Sequence, residues 1–298
     1  MSGAFTKFMR DMSGFVADAI APMFNTALQS ATYYVFDKDN FLLIPTNIER
    51  APGAPHKRVG MKVSDDNYFC KNYGLAMPVP DEDRSRYASI LDADTAAVKR
   101  IADIIKVNRE LRVKTLVTNT ATITNASPAI KWNDSGANPR TDVDVAKESV
   151  RKGCGQRVNT MIISETVRLN LSQNPNIRKA FQLAINGAVT MEMLKTYFEI
   201  QNIIVAGTVL ATSAEGQTIT ADDIWSDDIV LAHVEPGQDL MSMNFARSFN
   251  WTGVGSIEAP VGTWRDEDCK SDIHQADHAT AEKLVCAPAG YLLTDVLA

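Results

Sequence analysis

The chain has 298 residues, 45% of them hydrophobic, which is enough for one large globular unit or two smaller ones with a buried core. Thirty Lys and Arg against thirty-six Asp and Glu give a net charge of −6, which weighs against a broad basic face that grips nucleic acid. Cys70, Cys154, Cys269 and Cys286 form no C-x-x-C pair, so neither a zinc site nor a disulfide framework is indicated, and no stretch approaches the roughly 18 uninterrupted apolar residues of a membrane helix.

At the N-terminus Phe5, Phe8, Met12, Phe15, Val16 and Ile20 fall at helical spacing, while Asp11 and Asp18 interrupt any signal-peptide core. Residues 1–32 are expected to form an amphipathic arm that docks on something, with an ordinary first core helix as the competing reading. Lys7 and Arg10 alone supply too little charge for a membrane-surface helix. From Tyr33 to about Leu75 the pattern becomes extended: YYVFDKDNFLLIP, a Pro and Gly cluster at 51–55, then HKRVGMKV and YFCKNYGL. Two strands of some 15 residues would project about 50 Å. Such a ribbon is unstable alone in water, so it lies on a neighbour or joins the main sheet.

After the acidic turn at Pro78 to Asp83 comes the longest expected helix, Thr95 to Val117. Val98, Ile101, Ile104, Ile105, Leu111 and Leu116 share one arc, and Lys99, Arg100, Asp103, Lys106, Glu110 and Lys114 the opposite one. Lys99 with Asp103, Lys106 with Glu110 and Glu110 with Lys114 have the spacing of surface ion pairs. Arg109 and Arg112 sit on or beside the apolar arc, as contacts to another subunit or as rim residues of their own core. A further helix is expected from Pro139 and Thr141, with Thr141 and Asp144 at capping-box spacing, Val143, Ala146 and Val150 buried, and Gly153 as its stop.

Thr160 to Ile163 reads as a short strand, Ser164 as the cap of the next helix, and Asn174 with Pro175 as the start of another. Thr190 caps a helix through Phe198, Ile203 to Ala206 and Ile229 to Val234 read as buried strands, and Phe245 to Asp266 as long extended β. The end, Leu284 to Leu297, is strand-like.

Catalytic signatures are missing: there is no P-loop, no G-x-S-x-G and no H-E-x-x-H. His274 and His278, with Asp272 and Asp277 nearby, are the best metal candidates, but a solvated loop is the expected setting. The acidic groups at 222–223, 227–228 and 266–268 lack the glycine and spacing of a calcium loop and read as turns and caps. Cys154 with His233 is the one conceivable nucleophile and base pair. No catalytic, cofactor or metal residue is therefore assigned.

The segment NTMIISETVRLNLSQNPNIRKAF at 159–181 resembles the tailed-bacteriophage major capsid proteins, as does the order of RAPGAPHKRVGMKVS, YFCKNYGLAMPVPDEDR, WNDSGANPRTDVDVAKESVRKG, IWSDDIVLAHVEP, SFNWTGVG, VGTWRDEDCKSDIHQAD and APAGYLLTDVL. The resemblance covers Tyr33 to the C-terminus. It implies a mixed α+β fold with an N-arm (1–32), an E-loop (33–75), a P-domain (76–157) holding the spine helix 95–117, an A-domain (158–244), P-domain return strands (245–285) and a C-terminal strand (286–298) in the A-domain. It implies self-assembly through pentamers and hexamers into an icosahedral shell around packaged double-stranded DNA, in a virion assembled in the host cell cytoplasm. Portal, scaffolding and decoration proteins are the further partners it suggests, and no membrane or cofactor. Arg50, Lys57, Arg58, Lys62, Arg109 and Arg112 become the candidate inter-subunit contacts. Some members join Lys to Asn covalently; Lys57, Lys62 and Lys71 lie in the expected E-loop, but the sequence carries no sign of that bond. An encapsulin-like compartment shares the fold and is the alternative, followed by a cytosolic α/β enzyme.

Overall fold

The computed structural model describes residues 14–36, 44, 46–56, 58–60, 64–87, 92–181, 189–211, 213, 216–218, 220–237, 239–240, 242–253 and 262–298. In chain order the elements are α1 (Ala17–Ile20), β1 (Met23–Thr26), β2 (Ser30–Val35), β3 (Ser64–Phe69), β4 (Lys71–Pro80), α2 (Asp81–Tyr87) and α3 (Ala93–Val117). Then come β5 (Asn125–Ala126), α4 (Pro139–Cys154), β6 (Thr160–Ser164), α5 (Glu165–Gln173), α6 (Pro175–Ala180), α7 (Met191–Phe198) and β7 (Asn202–Ala206). The last part holds β8 (Val209–Ala211), β9 (Ala221–Asp223), β10 (Ile229–Ala232), β11 (Ala246–Trp251), β12 (Gly262–Asp266), β13 (Ser271–Leu284) and β14 (Gly290–Leu293).

Local chemistry sets the helix ends. The side chain of Ser164 accepts from Val167 N, that of Asn174 from Asn176 N and Ile177 N, and that of Thr190 from Met193 N, so the three expected caps are present. Asp92 caps α3 by accepting from Thr95 N, and the helix starts at Ala93, two residues ahead of the expected start. α4 begins at Pro139 in its first turn, so Thr141 lies inside the helix. It stops at Gly155, whose φ of 76° is the left-handed conformation that ends helices cheaply only at glycine; Gly153 is its penultimate residue.

Two sheets organise the chain. β13 is the axis of the first: β4 runs antiparallel along one edge for ten residues, from Ser271 opposite Pro80 to Thr280 opposite Lys71. The other edge carries β12 at its start and β11 at its end, and β1 pairs parallel to β11. The second sheet has the order β5-β14-β10-β6-β7, and every residue of β6, β10 and β14 is buried, as expected of strands covered on both faces. Phe245 links the sheets through backbone bonds to His233 and Val285. Gly290 is required beside it, since a Cβ there would lie 2.1 Å from the Phe245 ring.

Several expectations change. The Phe245 to Asp266 segment is two separate strands, β11 and β12, with 254–261 outside the described residues. Lys71 to Leu75 belongs to the main sheet through β4 and not to the excursion. Of the excursion, β2 and β3 form a six-residue antiparallel pair, about 20 Å long at ordinary strand rise, which packs Tyr33 and Tyr68 against Phe249. Residues 37–43, 45, 57 and 61–63 lie outside the described residues. Of the arm, 1–13 lie outside as well, whereas Val16, Ala17 and Ile20 are buried in the core of their own chain and β1 is part of its sheet.

That docking explains the largest misreading. α3 is not a one-faced helix: Val98, Ile104, Leu111 and Leu116 are only half-buried, while Asp103, Arg109 and Glu110 are buried. The N-terminal segment covers a second face. Glu110 makes no surface ion pair; its carboxylate accepts from Val16 N (3.0 Å), Ala17 N (2.9 Å) and the indole of Trp225 (2.6 Å). It supplies the cap that α1 lacks from its own residues. Burial pushes its pKa up, and the three donors and Arg109 pull the other way.

Glu110→Gln puts an amide N–H against one of those donors and removes the charge from the bonds, so stability should fall by about 2 kcal/mol in thermal melts, with a shift in Trp225 emission. Ile101→Asp, at a fully buried position of α3, should cost several kcal/mol and unfold the subunit by circular dichroism, while Lys99→Ala should be nearly silent.

Candidate functional site

The side chains that suggested chemistry do not converge. His274 and His278 lie on β13 and not in a loop, and four residues along a strand separate them by about 13 Å, too far to share a metal. His274 is instead held between Thr263 Oγ1 (3.0 Å) and Asp94 Oδ1 (2.9 Å). Cys154 Sγ donates to Val150 O at 3.3 Å, and burial pushes its thiol pKa up, the reverse of what a nucleophile needs. His233 Nδ1 is bonded to Arg157 O. Asp266 accepts from the N–H groups of Asp268 and Cys269, a turn cap as expected. Among the described residues no group of three or more His, Cys, Asp and Glu is arranged to hold a metal ion.

Charge is concentrated instead where β4, α2, α3 and β12 meet the start of β13. Arg84 reaches Asp94 (2.7 Å) and Asp272 (2.6 Å), and Arg265 reaches Asp81 (2.6 Å) and Asp272 (3.3 Å). The two guanidiniums hold the carboxyl of Asp272 below the usual carboxylate range, and Arg265 does the same to Asp81. These pairs are partly exposed and serve as a staple between elements more than as a source of stability.

Two apolar surfaces are left uncovered at opposite ends of β13. Next to its start, directly paired residues of three strands put Trp264, Ile273 and Pro78 on one face, opposite to the face that carries His274 and the spine; Trp264 is 49% exposed. Beyond its end, where Phe36 N bonds Val285 O, the excursion presents Ile44, Ile48 and Val59, each more than 70% exposed, with Tyr34 and Phe69 at its base. About twelve residues of strand, some 40 Å, separate the two. Exposed large apolar side chains are the residues to consider for contacts, and Leu28, Ile130, Val145, Leu169 and Val209 are exposed elsewhere on the chain.

No family model matches the chain. It is 26% identical over 291 residues to the major capsid protein of Burkholderia phage BcepMu, covering 95% of this chain and 91% of that one. A phage-related protein from Bordetella bronchiseptica superposes with a TM-score of 0.76 at 20% identity, over 96% of this chain and 94% of the other. The capsid of Myoviridae phage XM1 superposes with a TM-score of 0.57 at 9% identity, over 96% and 93%. The chain has the fold of the tailed-phage major capsid proteins. The resemblance read from the sequence is upheld over nearly the whole length.

Within this capsid fold the six candidate contact residues separate. Arg50, bonded to Ala54 O at 2.6 Å, and Arg58 are exposed on the excursion; Lys57 and Lys62 lie outside the described residues. Arg109 and Arg112 are used inside their own chain. Arg109 is buried, donating to Asp18 Oδ1 (2.6 Å) and Ser248 Oγ (3.3 Å). Arg112 bonds both carboxylate oxygens of Glu282 at 3.1 and 3.3 Å, and its guanidinium lies 3.9 Å from the centre of the Tyr73 ring. Their long side chains cross from the spine to α1, β4, β11 and β13, so packing in the parent chain explains their place on the apolar arc. Arg112 also lines a cavity of about 490 Å³ shared with Asn67, Phe69, Lys71 and Glu282.

Arg109→Ala should lower subunit stability by about 2 kcal/mol, because it strands the acceptors it served. Arg112→Ala should cost about as much. In denaturant titrations both variants should shift the unfolding midpoint, and an unchanged midpoint with weakened assembly would return them to a subunit contact.

Proposed function

We propose that the chain is the coat subunit of a tailed phage, closing on itself as pentamers and hexamers into an icosahedral shell around packaged double-stranded DNA. The observation that carries this reading is the pair of uncovered apolar surfaces at opposite ends of one long strand. A surface that paired with its own copy about a two-fold axis would stop at a dimer, whereas a shell needs contacts that continue. Each surface instead pairs with the other end of a second copy, and a head-to-tail contact of that kind generates rings.

On this reading the excursion between β2 and β3 is the E-loop, α3 is the spine of the P-domain, β13 with its partners is the rest of that domain, and the second sheet with β14 is the A-domain. The arm is shorter than 1–32 implies, since Phe15 to Thr26 sits on its own chain. A subunit of net charge −6 encloses DNA without condensing it, as phosphate neutralisation needs a surplus of Lys and Arg. Portal, scaffolding and decoration proteins follow as partners, and assembly in the host cytoplasm as the place. The relatives are structural proteins, and an enzyme activity is not proposed. The encapsulin-like alternative is not favoured, because the curated relative matched over 95% of the chain is a phage capsid protein.

Purified protein should give rings or closed particles in negative stain and a multi-subunit peak in sedimentation; a strict monomer at all concentrations and salts would sink the reading. Replacing Ile44 to Gly60 by a short Gly-Ser linker removes exposed residues but leaves Tyr33, Tyr68 and the β2–β3 pair in place. That variant should keep its circular dichroism and melting temperature and lose assembly. Trp264→Asp should behave alike, with stability changed by no more than about 0.5 kcal/mol.

A further inference from the structure

Among the described residues His278 is a buried titratable group that neither the ion pairs nor the proposed contacts use. It lies on β13 with Thr280 and Glu282 on the face turned to α3, 2% exposed, and both ring nitrogens lack a hydrogen-bond partner. Its cross-strand neighbour is Tyr73, with the rings stacked at 5.3 Å between centroids. Tyr73 in turn carries the Arg112 guanidinium.

The charged groups around it are unequal. From α3, Arg109 and Arg112 both oppose a further positive charge; from β13 itself Glu282 and Asp277 favour one. Glu282 is already committed to Arg112 and Thr280, and Asp277 stands one residue away, on the other face of the strand, against Gly74. From β4 comes Tyr73, which is neutral, and from the N-terminal segment Asp18, which is bonded to Arg109. A proton on His278 would therefore create a buried imidazolium with two N–H groups and no acceptor, next to two arginines of the spine.

We infer that His278 makes the seam between the spine helix and β13 acid-sensitive, so that uptake of one proton there separates the helix from the sheet while the second sheet stays folded. Burial, with Arg112 next, holds the His278 pKa at about 4 against an ordinary value of 6.5. The sign follows from linkage. The open or unfolded chain binds the proton more tightly, so the seam is fully stable above about pH 6.5 and weakens as pH falls toward about 4, by up to about tenfold in the opening constant per pH unit. The inference does not depend on the coat-subunit reading, because it concerns contacts within one chain.

Hydrogen exchange of the full-length chain at about pH 7 and about pH 5, corrected for intrinsic rates, tests it. Amides of Val107 to Val117 and of Ser271 to Leu284 should lose protection on acidification, while those of α4 and β6 keep theirs. In His278→Phe, which preserves the stack on Tyr73 and cannot be protonated, the pH effect on the seam should be absent. Loss of protection spread evenly over the chain, or the same acid response in the variant, would overturn the inference. Should the variant fail to fold, the imidazole of the wild-type protein decides the matter by NMR titration: a midpoint near 6.5 in the folded chain overturns it, and one at least a unit lower supports it.

Discussion

Glu110 joins three stretches of chain that are far apart in sequence: the start of α1, the middle of the spine and Trp225 of the turn before β10. A carboxylate is suited to this place because it accepts only, and all three neighbours donate. The adjacent Arg109 ties the same N-terminal segment from the other side through Asp18 and Ser248. With both in place the spine is gripped on two faces, and the sheet built on β13 has a fixed helix to lie against. Without that grip the first strand, β1, would be held beside β11 by its own ladder and the Phe24–Phe249 contact.

The second constraint is the division of labour along β13. One edge is paired by β4 from Ser271 to Thr280, and the other by β12 up to Gln275 and by β11 from Thr280. One face is closed by the spine. The other face near Trp264, and the apolar side chains of the excursion, stay exposed to another molecule. The first sheet thus joins its strands through its own ladders and leaves large apolar side chains exposed beside them.

What the sequence made legible was local. Ser164, Asn174 and Thr190 cap helices because a short polar side chain followed by helical spacing leaves few other uses for it. The spine's length was readable within two residues for the same reason. Its second buried face was not, since Glu110 at four residues from Lys106 and Lys114 matches a surface ladder equally well, and only the docking of a segment nearly a hundred residues away decides the matter. β13 was hidden by its composition: the residues it turns inward include His274, His278 and Thr280, which hide the apolar alternation of a strand. Of the contact surface, the excursion could be read from its unstable ribbon pattern, whereas Trp264, Ile273 and Pro78 come together only through strand register.

The parallel pairing of Met23 with Ser248 also has a consequence for how the protein is made. Residues 16–26 leave the ribosome first, and their place beside β11 does not exist until more than two hundred further residues have been added. At about 5–20 residues per second this is a wait of roughly 10–45 s, during which Phe24 lacks its edge-on contact with Phe249. Completion of the first sheet is therefore a late event in synthesis. Nascent chains crowded on one messenger cannot present this finished sheet to each other.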